Sequence, residues 1–185
     1  METVTHLPMT ELAAGLGIIR QSPSDQGVLK MIVRRPKVDE RELVNEAELN
    51  LEEGLVGDTW KVRGSKAMPD GSANLNAQIT VMNMRAIALL AQDEARWSLA
   101  GDQLFVDFSL NEDNIPPGTR LAIGSAILEV SSTPHTGCAK FSARFGVDAL
   151  KFVNSPDGKQ LHLRGINTRV VQAGKIQVGD LVRKI

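Results

Sequence analysis

The chain has 185 residues, 42% of them hydrophobic and 23% charged, proportions of a globular protein long enough to bury a sizeable core. A net charge of −1 and an aromatic content of 4%, with no tyrosine, argue against a nucleic-acid or membrane surface, which needs a basic footprint or stacking platforms. The single cysteine excludes an internal disulfide, the first Lys or Arg is Arg20, and no apolar run has the length of a membrane span, so a cytoplasmic protein is expected.

Residues 10–21 predict one amphipathic helix, capped by Thr10, with Leu12, Leu16 and Ile19 on one face and Ser22-Pro23 as its stop. Residues 28–33 predict a strand, and the basic pair Arg34-Arg35 after it reads as a solvated strand end. Residues 42–49 are a second strand candidate with a mixed pattern that also suits a helix. Gly54-Leu-Val-Gly-Asp58 is a glycine-bracketed turn whose carboxylate can cap Trp60, and the Gly-, Ser-, Asn- and Pro-rich residues 61–76 predict a surface loop. A strand over 78–82 leads to Asn83, a cap for a helix with Ile87, Leu90 and Ala91 on its apolar face, and residues 93–99 continue as a second helix.

From Gly101 the texture changes to short strands separated by turns. Leu104, Val106 and Phe108 alternate, residues 114–118 turn, and residues 119–123 and 126–130 form a hairpin about Gly124-Ser125. Residues 147–153 read as helical, 155–158 as a turn, and 161–163 and 168–171 as strand candidates flanking Arg164-Gly165. Residues 175–178 and 181–183 close the chain as two more strands. Many short strands at close spacing, with neither a repeat nor a linker, predict a mainly β barrel or sandwich.

Between the hairpin and the helical segment lies the stretch with the most chemistry, residues 132–146. It holds the only cysteine, Cys138, and one of three histidines, His135. A thiol reacts as its thiolate, which neighbouring cations and a first helical turn favour. On a helix Lys140 and Arg144 share a face and Phe141 and Phe145 the adjacent one, so the rings bury while the cations face solvent or a ligand. His135, three residues before Cys138, is a candidate base for the thiol or a turn histidine bonded to the backbone. A zinc site would need three or four ligands, and only His6 and His162 remain as histidines. A Cys–His hydrolase would need a third group to orient the imidazole, and none is identifiable. Arg164 reads as an anion contact or a solvent-facing turn arginine, Asp102 as a turn former or cofactor contact, and Asn83 as a helix cap or cofactor contact.

The ordered set of features resembles the MOSC domain, the family named for the C-terminal domain of eukaryotic molybdenum cofactor sulfurase. The likeness rests on Gly101-Asp102 before a strand, Pro116-Pro-Gly118-Thr-Arg-Leu-Ala-Ile-Gly124, Ala126-Ile-Leu-Glu-Val130, Pro134-His-Thr-Gly-Cys138 and Gly174-Lys-Ile-Gln-Val-Gly179-Asp-Leu-Val-Arg183. It covers roughly residues 28–184, leaving 1–27 as a helical extension of one domain spanning 1–185. The resemblance implies a closed β-barrel similar to the barrel domain of pyruvate kinase, with several short helices. It implies that Cys138 is either a thiolate ligand to the molybdenum of a molybdopterin cofactor or a carrier of persulfide sulfur. Lys140, Arg144 and Arg164 would then attract the cofactor phosphate or a small sulfur-bearing anion, with a protein partner in molybdenum-cofactor or sulfur metabolism. Better-known members place a proline directly before the cysteine; here Thr136-Gly137 stand there, and His135 is added. No residue here supports a pyridoxal phosphate role. The alternative is a non-enzymatic β-barrel that binds a small molecule or a partner and uses the cysteine structurally.

Overall fold

The structure, a computed structural model, describes residues 4–185, so residues 1–3 of the expected N-terminal extension lie outside the described residues. Eleven strands form: β1 Gln26–Arg34, β2 Glu42–Val44, β3 Glu46–Asn50, β4 Gly54–Leu55, β5 Ile79–Asn83, β6 Leu104–Asp107, β7 Arg120–Ile123, β8 Ala126–Val130, β9 Ile166–Gln172, β10 Gly174–Gln177 and β11 Leu181–Lys184. Seven of them close a barrel in the order β11-β7-β8-β9-β5-β6-β1, with β1 returning to β11. The pairs are antiparallel except β5–β6, which is parallel, so the barrel is mixed. β2 extends one end of β1, and β10, β3 and β4 form a small second sheet.

Helices α1 Met9–Ala14, α2 Leu16–Arg20, α3 Trp60–Arg63, α4 Met84–Ala91, α5 Ala139–Phe145, α6 Val147–Val153 and α7 Pro156–Gln160 complete the fold, with 3-10 turns over Leu75–Ala77 and Glu94–Ala100. Among the described residues no helix is long and apolar enough to cross a membrane.

Two apolar clusters explain the strand patterns. Leu104, Val106 and Phe108 fill the barrel, while Phe105 between them points outward into a layer with Met82, Ile87, Phe141 and Phe152. β6 is therefore buried on both faces and reads as a continuous apolar run. β1 serves the same two layers through a β-bulge between Leu29 and Met31. Leu29 and Ile32 both face the barrel although they are three positions apart, and Met31 and Val33 face the helices. One extra residue reverses the inward parity, which strict alternation does not allow.

Several sequence expectations need correction. Residues 10–21 are two helices, not one, and Pro8 rather than Thr10 precedes the first. The break falls at Gly15, where a Cβ would lie 2.5 Å from Leu89 Cδ2, so a close approach to α4 governs the position. Residues 42–49 split into β2 and β3, which belong to different sheets. Residues 155–158 begin helix α7, the Ser155 side chain accepting from the Gly158 amide. Residues 161–163 are a turn rather than a strand, with His162 at φ +49°. Arg35 is no solvated strand end: its guanidinium pairs with Asp58, whose side chain is fully buried. Asn83 caps α4, accepting from the Arg85 and Ala86 amides, and Asp58 accepts from the Trp60 amide, both as expected.

Gly165 carries the chain from that turn into β9 at φ +101°, and a Cβ there would sit 2.5 Å from the Val81 carbonyl oxygen. Gly165→Ala is expected to destabilise the protein by about 2 kcal/mol or more, since a side chain in that region of backbone space is strained and this one also clashes. Urea unfolding of the two proteins measures it; an unchanged midpoint would contradict the packing described.

Candidate functional site

After β8 the chain runs without regular structure to Cys138 and then enters α5. It is held in place by its neighbours. Asn167 Nδ2 on β9 donates to the Thr133 and Pro134 carbonyls at 3.1 and 3.2 Å, and Asn154 Oδ1 accepts from the Gly137 amide at 3.0 Å. Helix α5 is seated by Phe141 and Phe145, both buried, their rings 4.9 Å apart. Burying such a ring contributes about 1.5–3 kcal/mol. The periodicity then leaves Lys140 and Arg144 on the open side, and Cys138 ahead of them is exposed.

Cys138 lines a cleft of about 330 Å³ together with Arg35, Lys37, Arg41, Arg63, Lys140, Arg144 and Arg164, seven cations in all. Four carboxylates engage them. Asp58 holds Arg35 by two 2.8 Å bonds, and Asp102 holds Arg164. Asp39 reaches Lys140 and Arg144 at 3.6 and 3.3 Å, and Glu40 reaches Lys37 at 3.6 Å. Asp39 therefore relieves the like-charge pair on α5, from a backbone at φ +62° that aspartate tolerates better than most residues. Arg41 donates only to the Ser98 and Glu40 carbonyls, and Arg63 has no side-chain hydrogen bond among the described residues. Partial burial, then Arg144 and Arg35, pull the Arg41 pKa below the ordinary arginine value. An anion in this cleft would find two guanidinium groups with no carboxylate to displace.

Behind the cleft lies a buried polar knot. Arg164 bonds Asp102 and the Ala100 carbonyl, and its guanidinium stacks on Phe141 at 4.9 Å. Asp102 Oδ1 lies 3.5 Å from His135 Nδ1, too far for a good hydrogen bond. Among the described residues, the buried side-chain polar atoms without partners are Asp102 Oδ1, His135 Nδ1 and Arg164 Nε, all in this knot. Unpartnered buried polar atoms are few in native proteins, and three in one place call for a bound water, ion or ligand beside them. Burial pushes the His135 pKa down to about 4, Arg164 and Arg35 adding to the shift and Asp102 opposing it. The ring is neutral at pH 7 and a weak proton acceptor, better suited to orienting a ligand than to deprotonating a thiol.

The structure brings Cys138, His135, Lys140, Arg144 and Arg164 to one cleft and sets Asp102 directly behind it. Asn83 is elsewhere: its Nδ2 donates to Ser22 Oγ and the Phe108 carbonyl, and it borders a separate cavity with Arg20 and Asn111. Arg35, Lys37, Arg41 and Arg63 were not anticipated; the density of basic residues over 34–41 is a weak signal for the first three, and none points to Arg63. Asp102 supplies the group facing the imidazole that sequence spacing left unidentified. No three His, Cys, Asp or Glu side chains among the described residues gather to hold a metal ion.

The His135 shift has a testable sign. The neutral ring is favoured in the fold, so its contribution is fully present above pH 6.5 and is lost as pH falls toward 4. The span corresponds to at most about 3 kcal/mol. Chemical denaturation of the protein and of His135→Gln across that range is expected to give a visibly flatter profile in the variant. Parallel profiles would contradict a buried neutral histidine.

The MOSC domain family model matches residues 73–183 of the chain. No curated protein sequence matches it. Among solved structures it is similar to the YuaD protein from Bacillus subtilis, at 14% identity over 85% of this chain and 94% of that one, with a TM-score of 0.65. It is similar to YiiM from Escherichia coli, at 18% identity over 85% of this chain and 69% of that one, TM-score 0.56. YiiM from Geobacillus stearothermophilus aligns at 15% identity over 86% and 73% of the two chains, TM-score 0.53. These likenesses concern the fold. The family match covers more than half of the chain, from the end of the surface loop through β11, and includes Asp102, His135, Cys138 and Arg164; the chain belongs to the MOSC domain family, which is tied to molybdenum-cofactor binding and sulfur-related functions.

Proposed function

We propose that the cationic cleft binds a molybdopterin-type cofactor, with Cys138 as thiolate ligand to its metal and the arginines around it holding its anionic groups. The observation that carries this reading is the exposed Cys138 sulfur on the wall of a cleft with seven cations, two of them free of carboxylates. Thiolate is a soft ligand suited to such a metal, and planar guanidinium groups suit phosphate. One cysteine cannot hold a bare metal, so the metal would arrive with ligands of its own, as it does in a pterin cofactor. When bound, the cofactor would supply redox or oxygen-transfer chemistry.

The chain's own residues bind and orient. Arg41 and Arg63 attract the anion, Asp39 keeps Lys140 and Arg144 directed at the cleft mouth, and neutral His135 offers its ring beside the ligand without adding charge. Completing a reaction would fall to a protein partner in molybdenum-cofactor or sulfur metabolism.

A sulfur-carrier role is the second reading, favoured by the same exposure: with no second cysteine in the chain, a persulfide on Cys138 has no internal thiol to discharge it.

Expression of the full chain in a host that makes the cofactor, followed by metal analysis, tests the first reading. Cys138→Ala is expected to lower bound molybdenum at least tenfold, and Arg41→Gln with Arg63→Gln by roughly tenfold or more, as loss of charge-assisted contacts implies. Equal metal in all three proteins would contradict it. Persulfide on Cys138 without molybdenum would favour the carrier.

A further inference from the structure

The cleft holding Cys138 is not the largest cavity. A second one, of about 460 Å³, lies against residues 130–136 and shares His135 and Asn167 with the first. The two differ in electrostatics. Among the described residues, the only charged ones lining the second are Glu112 and Lys159, opposite in sign and both exposed, while Val130, Val153 and Ile166 give it a buried apolar lining. Its one cation is Lys159, exposed and accompanied by Glu112, against seven cations at the first cleft.

Besides the hydroxyls of Ser131, Ser132, Thr133 and Thr136, its lining holds two side chains with unspent acceptors. His162 is held with Nδ1 2.6 Å from the Leu110 carbonyl oxygen. A carbonyl only accepts, so in the neutral ring Nδ1 carries the proton and Nε2 keeps a free lone pair. The ring is placed there by a backbone at φ +49°, a conformation few side chains adopt and one that concentrates at binding sites. Asn167 spends both Nδ2 hydrogens on Thr133 and Pro134, and its amide oxygen receives no hydrogen bond among the described residues. Two free acceptors beside Val130, Val153 and Ile166, with hydroxyls that can donate or accept, suit a ligand with N–H or O–H donors on a largely apolar body. The volume is in the range of small-molecule sites, and since a cavity of roughly 150 Å³ takes a benzene ring, this one has room for a substituted bicycle.

We infer that this second cavity is a binding site for a neutral ring compound with a donor edge, separated by His135 from whatever the cationic cleft holds. The binding claim stands on the cavity alone. Its use as the site of the second reactant rests on the proposed function, because His135 then lies between the cofactor and the molecule it acts on.

Indole, a neutral bicycle with one N–H, is the probe, and 1-methylindole is the same shape without the donor. Titrated into the isotope-labelled full chain, indole is expected to give saturable amide shifts at Val153, Gly158, Gly165, Ile166 and Asn167. 1-Methylindole is expected to bind about fivefold more weakly, as loss of one hydrogen bond implies. Ser132→Trp places a large ring on the exposed part of the lining and should weaken indole by about tenfold or more, since it competes for the same space. His162→Asn, a residue that tolerates the positive φ, should bring the two probes together in affinity, and if that variant does not fold the wild-type comparison still decides. Non-saturating shifts, shifts centred on Arg41 and Arg63, equal binding of the two probes, or indifference to Ser132→Trp would each overturn the inference. Cys138→Ala is expected to keep indole binding unchanged even if it loses molybdenum, so this site and the proposed function fail separately.

Discussion

The site depends on one buried ion pair. Asp102 is sealed from solvent and Arg164 nearly so, and their contact joins the turn before β6 to the turn before β9. Breaking such a pair by removing one partner strands a charge in the interior and typically costs about 3–5 kcal/mol. The pair does more than join two strands. Arg164 lies over Phe141, the ring that seats α5, and Asp102 faces His135 in the segment leading to Cys138. A displaced carboxylate would leave Arg164 unpaired over Phe141 and take away the charge that faces His135.

Around that pair the protein sorts charge. Arg35–Asp58 is a second buried pair on the same wall, bidentate and further tied to the Gly101 carbonyl. Together the two pairs present guanidinium groups at the cleft while keeping their carboxylates behind it. Surplus positive charge comes from Arg41 and Arg63, which lie outside the stretch matched by the family model and reach the cleft from the chain after β1 and from α3. The knot at His135 is the opposite case, a group kept neutral by burial although it faces a carboxylate. His135 thus stands between a strongly cationic cleft and a cavity whose only charged lining residues among those described, Glu112 and Lys159, are opposite in sign.

Local signals in the sequence located much of this. The β7–β8 hairpin, the Asn83 cap and the Phe141/Phe145 face of α5 depend on residues within a few positions of one another, and all are present. The barrel and the family were legible from the order of turns and short strands. What stayed hidden was set by distant partners. The bulge in β1 follows from the demands of two packed layers, and the break at Gly15 from a leucine on α4. His162 occupies a left-handed conformation where a strand pattern reads plausibly, because the chain must turn before Gly165. Arg35 looked solvated because Asp58, its partner, is twenty-three residues away. Arg41 and Arg63 carry no motif at all; only the fold makes them neighbours of Cys138.

The central claim is that the Cys138 sulfur is a metal ligand at the mouth of a cleft built for an anion. X-ray absorption at the molybdenum edge, on the full chain loaded with cofactor and on its Cys138→Ser variant, tests it most directly. The account predicts one fewer sulfur neighbour around the metal in the variant, with the remaining shell unchanged. An identical sulfur shell in both proteins, or no molybdenum retained by the wild-type chain, would contradict it.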